Sequence, residues 1–220
     1  MKVALAFLLV LAGCADKQPP PRSSGSGSSA AGSAGSAAGS GAVMNAAVTV
    51  SLVGTKPGRP PVEKLLVDVQ LRNDDGAPRW VLIPTNLPVD SGGGVDKLEQ
   101  LTVPAGGAAI AVGRFLGRSG TYALKLAPGA RVNLRKLEVS WWRPESGATD
   151  IAFDVVLASE VKLGDAAMAT WFDKDPAISG SADVDMEAAK HTRSQKSPDD
   201  SEIPVVMSGT TTAPIKLVAH

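Results

Sequence analysis

Three observations predict an all-β fold, an antiparallel β-sandwich. Apolar and polar residues alternate with period two through most of residues 46–163. Turn formers such as Asn73-Asp74-Asp75-Gly76, Gly106-Gly107 and Pro128-Gly129 interrupt the alternation at short intervals. No amphipathic helix of ordinary length competes within that stretch. Successive side chains of a strand point to opposite faces, so period two means one apolar face and one wet face. Short strands separated by turns over roughly 120 residues suit two packed antiparallel sheets.

The elements follow in order. Val48, Val50 and Leu52 share one face, with Thr49 and Ser51 opposite. Leu65, Val67, Val69 and Leu71 form the apolar side of a second strand. Residues 73–76 tolerate positive φ, and residues 80–83 begin an apparent return, a hairpin signal. Residues 95–103 and 108–115 read as a strand pair about the turn 104–107. After Ser119-Gly120, the next inward face is Tyr122, Leu124 and Leu126. Val132 and Leu134 then change phase with Leu137, Val139 and Trp141. A regular strand cannot change parity, so a β-bulge is expected near Arg135-Lys136. Past a turn at 144–147, Ile151, Phe153, Val155, Leu157 and Val161 are expected to point one way.

Beyond residue 163 the pattern weakens, and 164–220 reads as a C-terminal extension of the 46–163 sandwich. Trp171-Phe172 suits a last core anchor or a strand edge. Residues 183–193 fit one or two helical turns with Asp183 as N-cap. Residues 190–202 read as a polar surface loop. The strand-like runs 203–207 and 215–218 suggest a terminal hairpin added to the sandwich, or a tail.

Composition excludes several functions. Lys and Arg total 22, and Asp and Glu also total 22, so the net charge is zero. A nucleic-acid partner requires an excess of basic groups to displace condensed counterions. A single cysteine excludes an internal disulfide and a multi-thiolate zinc site. No cofactor motif occurs: G-x-S-x-G, H-E-x-x-H, Walker A and G-x-G-x-x-G are all missing. His191 and His220 lie outside patterned elements and read as solvated. Asp173, Asp175, Asp183 and Asp185 are hard-oxygen groups without the spacing of a calcium loop, so neither a metal site nor a catalytic set is assigned.

The N-terminus is the most specific signal. Lys2 precedes an unbroken apolar run over residues 3–11, shorter than the ~20 residues of a membrane span. Leu11-Ala12-Gly13-Cys14 follows. All four positions match the lipobox, and the segment resembles the bacterial lipoproteins. The resemblance implies thioether attachment of diacylglycerol to Cys14, cleavage between Gly13 and Cys14, and a 1–13 signal peptide. It also implies anchoring of the mature chain to a cell-envelope membrane. Ala15, where Asp favours inner-membrane retention in well-studied lipoproteins, leans toward the outer membrane; Asp16 is one place further on. Loss of Lys2 leaves the mature chain nearly neutral, with no basic segment to hold anionic lipid. Attached acyl chains supply the anchor, at ~0.8 kcal/mol per buried methylene.

Residues 14–45 read as a tether. Pro19-Pro20-Pro21 favours polyproline II, and residues 23–42 are Ser, Gly and Ala alone. Such a segment has little to bury against its ordering entropy and is expected to be disordered. Its mean reach is roughly 25–30 Å. At the level of architecture only, the domain resembles immunoglobulin-like and related sandwiches. The Cys…Trp…Cys hallmark of antibody domains is missing, so strand order stays open.

Trp141 has the inward parity, which leaves Trp142 outward beside Arg143. An exposed Trp stacks on sugars or meets a partner chain. The expectation for Trp142 is nonetheless cover from the C-terminal segment or the Arg143 stem. Trp80, next to Arg79, is a weaker case of the same kind. These features suggest a non-enzymatic, lipid-anchored envelope module that binds a protein partner. A cell-wall glycan-binding module is the second reading, and a hydrolase using carboxylates alone is the third.

Overall fold

The computed structural model describes residues 46–89, 94–197 and 201–219. Gly13, Cys14 and the tether lie outside the described residues. The described segments all belong to one compact unit, Ala42–His220. Strands dominate, and no α-helix occurs among the described residues. The first strands are β1 (Ala46–Pro57), β2 (Val62–Asn73), β3 (Arg79–Pro84) and β4 (Asn86–Leu87). Next come β5 (Val95–Ala105), β6 (Ala108–Gly117), β7 (Thr121–Leu126) and β8 (Arg131–Trp142). β9 (Asp150–Ala158), β10 (Glu160–Leu163), β11 (Ala166–Ala167) and β12 (Ala177–Ile178) follow. The last are β13 (Ser181–Asp185), β14 (Lys190–Lys196), β15 (Val205–Ser208) and β16 (Thr211–Val218).

Three sheets result. The first runs β1-β2-β8-β13, with β4 also on β8. The central sheet runs β14-β5-β6-β7-β3-β9-β16, with β12 on β7. A small third sheet runs β11-β10-β15. Pairing is antiparallel except for β4 and β13 on β8 and β12 on β7, which are parallel. The fold is therefore an all-β sandwich.

Its core has two parts. Between the first and central sheets lie Leu65, Val67, Val69 and Leu71 of β2, Val132, Leu134, Leu137, Val139 and Trp141 of β8, and the inward residues of the central strands. The opposite face of the central sheet carries Trp80, Leu82, Leu98, Phe115 and Ala123. Val161, Met168, Trp171 and Phe172 cover that face. Trp80 stacks on Phe172 with ring centres 6.1 Å apart, and Trp171 meets Phe115 edge-on at 5.6 Å. The sequence of β3, Arg-Trp-Val-Leu-Ile-Pro, has no polar alternation because both its faces are dry.

Several expectations hold at residue level. β5 and β6 pair through Ala105↔Ala108, with φ of 52° and 94° at Gly106 and Gly107, the left-handed pair that a two-residue hairpin turn requires. The bulge in β8 falls at the expected place. Val67 faces Leu137 and Val69 faces Leu134, so Asp68 opposes both Arg135 and Lys136. Lys136 takes φ of 55°, and its N–H donates to Asp68 Oδ1 at 2.9 Å. The extra residue restores Leu137, Val139 and Trp141 to the inner face. Trp171-Phe172 is a core anchor.

Other expectations are corrected. β2 and β3 do not form a hairpin, because residues 74–78 cross from the first sheet to the central one. Asn73 enforces the crossing. Its buried Nδ2 group donates to the carbonyls of Ala77, Leu126 and Ala127 at 3.0, 3.1 and 3.1 Å, and its Oδ1 accepts from Asp75 N–H at 3.1 Å. Val161 does not share the face of Leu157; the chain bends at Ser159 and Val161 enters the second core. Residues 183–193 are not helical beyond a 3₁₀ turn at Met186–Ala188, capped by Asp185 rather than Asp183. Residues 190–196 are a strand on the border of the central sheet rather than a loop. The terminal runs do not pair with each other: β15 joins β10 and β16 joins β9. About half of the described residues in 164–220 are thus strands of these sheets.

Asn73→Ala leaves three carbonyls without that donor inside the fold. It is expected to lower unfolding free energy by about 2–4 kcal/mol, measured by urea denaturation.

Candidate functional site

Trp142 ends β8, directly opposite Val62 of β2. It is 54% exposed, whereas Trp141 is 4% exposed in the first core. The expected cover is not there. Arg143 turns instead to Trp141, with its guanidinium carbon 5.7 Å from that ring's centre, and Nη1 donates to Glu63 Oε1 at 3.0 Å. Beside Val62 and Arg143 opens a cleft of about 670 Å³, lined also by Pro57, Pro60, Pro61 and Glu145. Lys56 and Thr55 add polar groups to its wall. The register places this end far from the chain's entry at Ala46, since Ala46 pairs with Asn73 at the other end of β2. At ~3.3 Å per residue, the length of β2 separates them by roughly 35 Å.

Trp80 belongs elsewhere. It is 4% exposed and stacked on Phe172, so it offers no binding surface. Its even-numbered parity in β3 faces the second core, which the C-terminal segment completes.

The carboxylates considered for calcium already have cationic partners. Asp175 accepts from Lys125 at 2.9 Å, Asp173 from Arg193 at 3.2 Å, and Asp183 meets Arg135 at 2.9 Å. Asp185 lies 3.7 Å from Lys136. Among the described residues no three acidic, His or Cys side chains gather as a metal site.

A second polar centre lies between the sheets. Glu99 of β5 is buried, and Arg114 of β6 faces it directly in the ladder. Arg114 Nε donates to Glu99 Oε2 at 2.6 Å, and Lys97 Nζ lies 2.6 Å from Oε1. His191 of β14 brings Nε2 to 3.3 Å from Arg114 Nη2 and lies on a border strand. Tyr122 donates its phenol proton to the carbonyl of Glu138 at 2.8 Å. A cavity of about 400 Å³ borders Arg114, Tyr122, His191, Lys56, Lys136 and Glu187.

Electrostatics define what this centre can do. Burial pushes Glu99 up, but hydrogen bonds from Lys97 and Arg114 outweigh it and hold the carboxyl below the usual range. Burial keeps the Tyr122 phenol protonated by raising its pKa. On the nearby surface, hydrogen bonds from Lys136 and Lys56, at 2.7 Å each, hold Glu187 down to about 2. Glu99 is a fixed anion that neutralises Arg114. A hydrolytic general acid needs the opposite, a carboxyl kept protonated near neutral pH.

Sequence reasoning missed Glu99 and Arg114, although a signal existed. The Gly106-Gly107 turn sets a register that puts positions 99 and 114 opposite each other, and both have the inward parity of Leu101 and Val112. Opposite charges facing each other on an apolar side mark a buried pair.

Neither the protein-family models, nor the curated proteins, nor the solved structures contain a match to this chain.

Glu99→Ala strands Arg114 and is expected to cost about 2–3 kcal/mol in chemical denaturation, with most of it recovered in the Glu99→Leu/Arg114→Leu double variant. The acid response has a defined sign. Glu187 falls from an ordinary 4.5 to about 2 on folding, so its stabilisation is complete above pH 4.5 and drains away as pH drops toward 2. Glu187→Gln should flatten the stability profile in that window, and molar salt should weaken the effect.

Proposed function

We propose that this protein is a lipid-anchored module of a bacterial cell envelope that binds a partner through the end of the sandwich bearing Trp142. The observation that carries the binding half is the exposure of Trp142. It is the one aromatic among the large apolar side chains exposed in the described residues. A tryptophan left half in water at a strand end adds nothing to the core, and its broad face suits an apolar or planar partner surface. The anchoring half rests on Leu11-Ala12-Gly13-Cys14, with Cys14 lipidated and Gly13 the last residue removed. With Ala15 after the lipidated residue, the outer membrane is the proposed destination. The tether then spaces the domain from the bilayer. The first partner class is another envelope protein; the reading involves no nucleic acid and no resident cofactor.

A glycan of the cell wall is the second reading, supported by a specific arrangement. Val62, the ladder partner of Trp142, and Arg143, its chain neighbour, line a cleft whose wall mixes prolines with Thr55, Lys56, Glu63 and Glu145. A pyranose presents an apolar face to an aromatic ring and hydroxyls to such neighbours.

Two measurements test the proposal. Cys14→Ser should shift the chain from the membrane fraction to the soluble fraction or leave it unprocessed, with loss of the lipid mass; unchanged fractionation and unchanged mass reject lipidation. Trp142→Ala should weaken binding to purified cell-wall glycan or to a crosslinked envelope partner by about ten-fold, with the thermal midpoint unchanged. Retained affinity for both removes Trp142 from the binding surface.

A further inference from the structure

The free border of the first sheet has a distinctive composition. β1 hydrogen-bonds to β2 on one side, and no described strand pairs with its other side. β16, at the neighbouring border of the central sheet, comes near β1 without pairing to it. Exposed borders of long strands are normally blunted with charges or proline, because their open N–H and C=O groups recruit other strands. The other borders of the two large sheets follow that rule. β14 carries Lys190, Arg193 and Lys196, β16 carries Pro214 and Lys216, and β13 carries Asp183 and Asp185. β1 has no charge before Lys56.

The core is also unfinished along this border. Ala46, Val48, Val50 and Leu52 face inward yet remain half-buried, while Leu65, Val67, Val69 and Leu71 of the adjacent strand are 0–3% exposed. The pattern around Val50 is self-complementary. Two antiparallel copies centred on Val50 place Val48 against Leu52 on the inner face, and Thr49 against Ser51 on the outer face. Apolar meets apolar and hydroxyl meets hydroxyl, as a two-fold interface demands. The bulge at Val53, between Leu52 and Gly54, ends the matching stretch.

We propose that β1 pairs antiparallel with β1 of a second copy of this chain, joining the two first sheets across a two-fold axis at Val50. The inner residues of each border strand then cover each other and close both cores. The two chain entries at Ala46 stand eight residues apart along the joined ladder, roughly 27 Å.

The test uses the full chain in detergent, with micelles in excess of protein, and sedimentation equilibrium as the readout. Thr49→Lys/Ser51→Lys sets lysines face to face across the proposed axis, while within the chain residue 51 lies opposite Asp68 and residue 49 opposite Gln70. Thr49→Asp/Ser51→Lys sets Asp against Lys at the same positions. The expected result is twice the chain mass for the native protein, the single chain mass for the double-lysine variant, and twice the mass again for the Asp/Lys variant, with a cooperative thermal unfolding transition in each confirming that both variants fold. A monomeric native chain, or a dimer that survives the double-lysine change, overturns the pairing. Loss of the dimer in both variants overturns the register centred on Val50.

Discussion

Everything in this fold depends on burying the central sheet from both sides. β3 shows the constraint most directly: Val81 and Ile83 pack toward the first sheet, and Trp80 and Leu82 pack toward the C-terminal cover. An ordinary two-layer sandwich would leave Trp80, Leu82, Leu98 and Phe115 facing water. Burying one such side chain contributes roughly 1.5–3 kcal/mol, so the cover is a large part of the fold's stability. Trp171 and Phe172 supply it, with Trp80, Phe115, Trp171 and Phe172 meeting in stacked and edge-on contacts. Arg193 secures the cover by donating to the carbonyl of Trp171 at 2.6 Å and lying over its ring.

Polar groups then fix how the layers connect. Asn73 sits where the chain leaves one sheet for the next, and its side chain satisfies carbonyls that the crossing would otherwise orphan. The Asp68–Lys136 contact stabilises the bulge that returns β8 to its inward phase. Glu99 and Arg114 neutralise each other between the layers, and their pairing offsets the desolvation that burial costs them. With those constraints met, β8 ends with Trp141 inside and Trp142 outside, and the surface end opposite Ala46 carries the exposed ring.

Local parity was legible in the sequence, and layer assignment was not. The inward faces of β2 and of β9 through Leu157, the Gly106-Gly107 turn and the bulge near Lys136 all follow from alternation within a few residues. The crossing after Asn73 looked like a hairpin because a turn sequence does not say which sheet receives the next strand. Val161 kept its parity on paper but changed face when the backbone bent at Ser159. β14 was unreadable for a plain reason: all seven of its residues are exposed, so no apolar alternation marks it. Of the surface residues, the outward parity of Trp142 was plain from Trp141. The burial of Trp80 was hidden because its cover, Phe172, lies some ninety residues away.

Native-state hydrogen exchange resolved by residue tests the two-sided burial most directly. The account predicts that the amides of Leu82, Ala123 and Leu124, sealed between two cores, exchange through global unfolding alone, and that Trp171→Ala accelerates them and lowers the thermal midpoint. Exchange of these amides as fast as those of the exposed strand β14, or rates indifferent to the loss of Trp171, would contradict it.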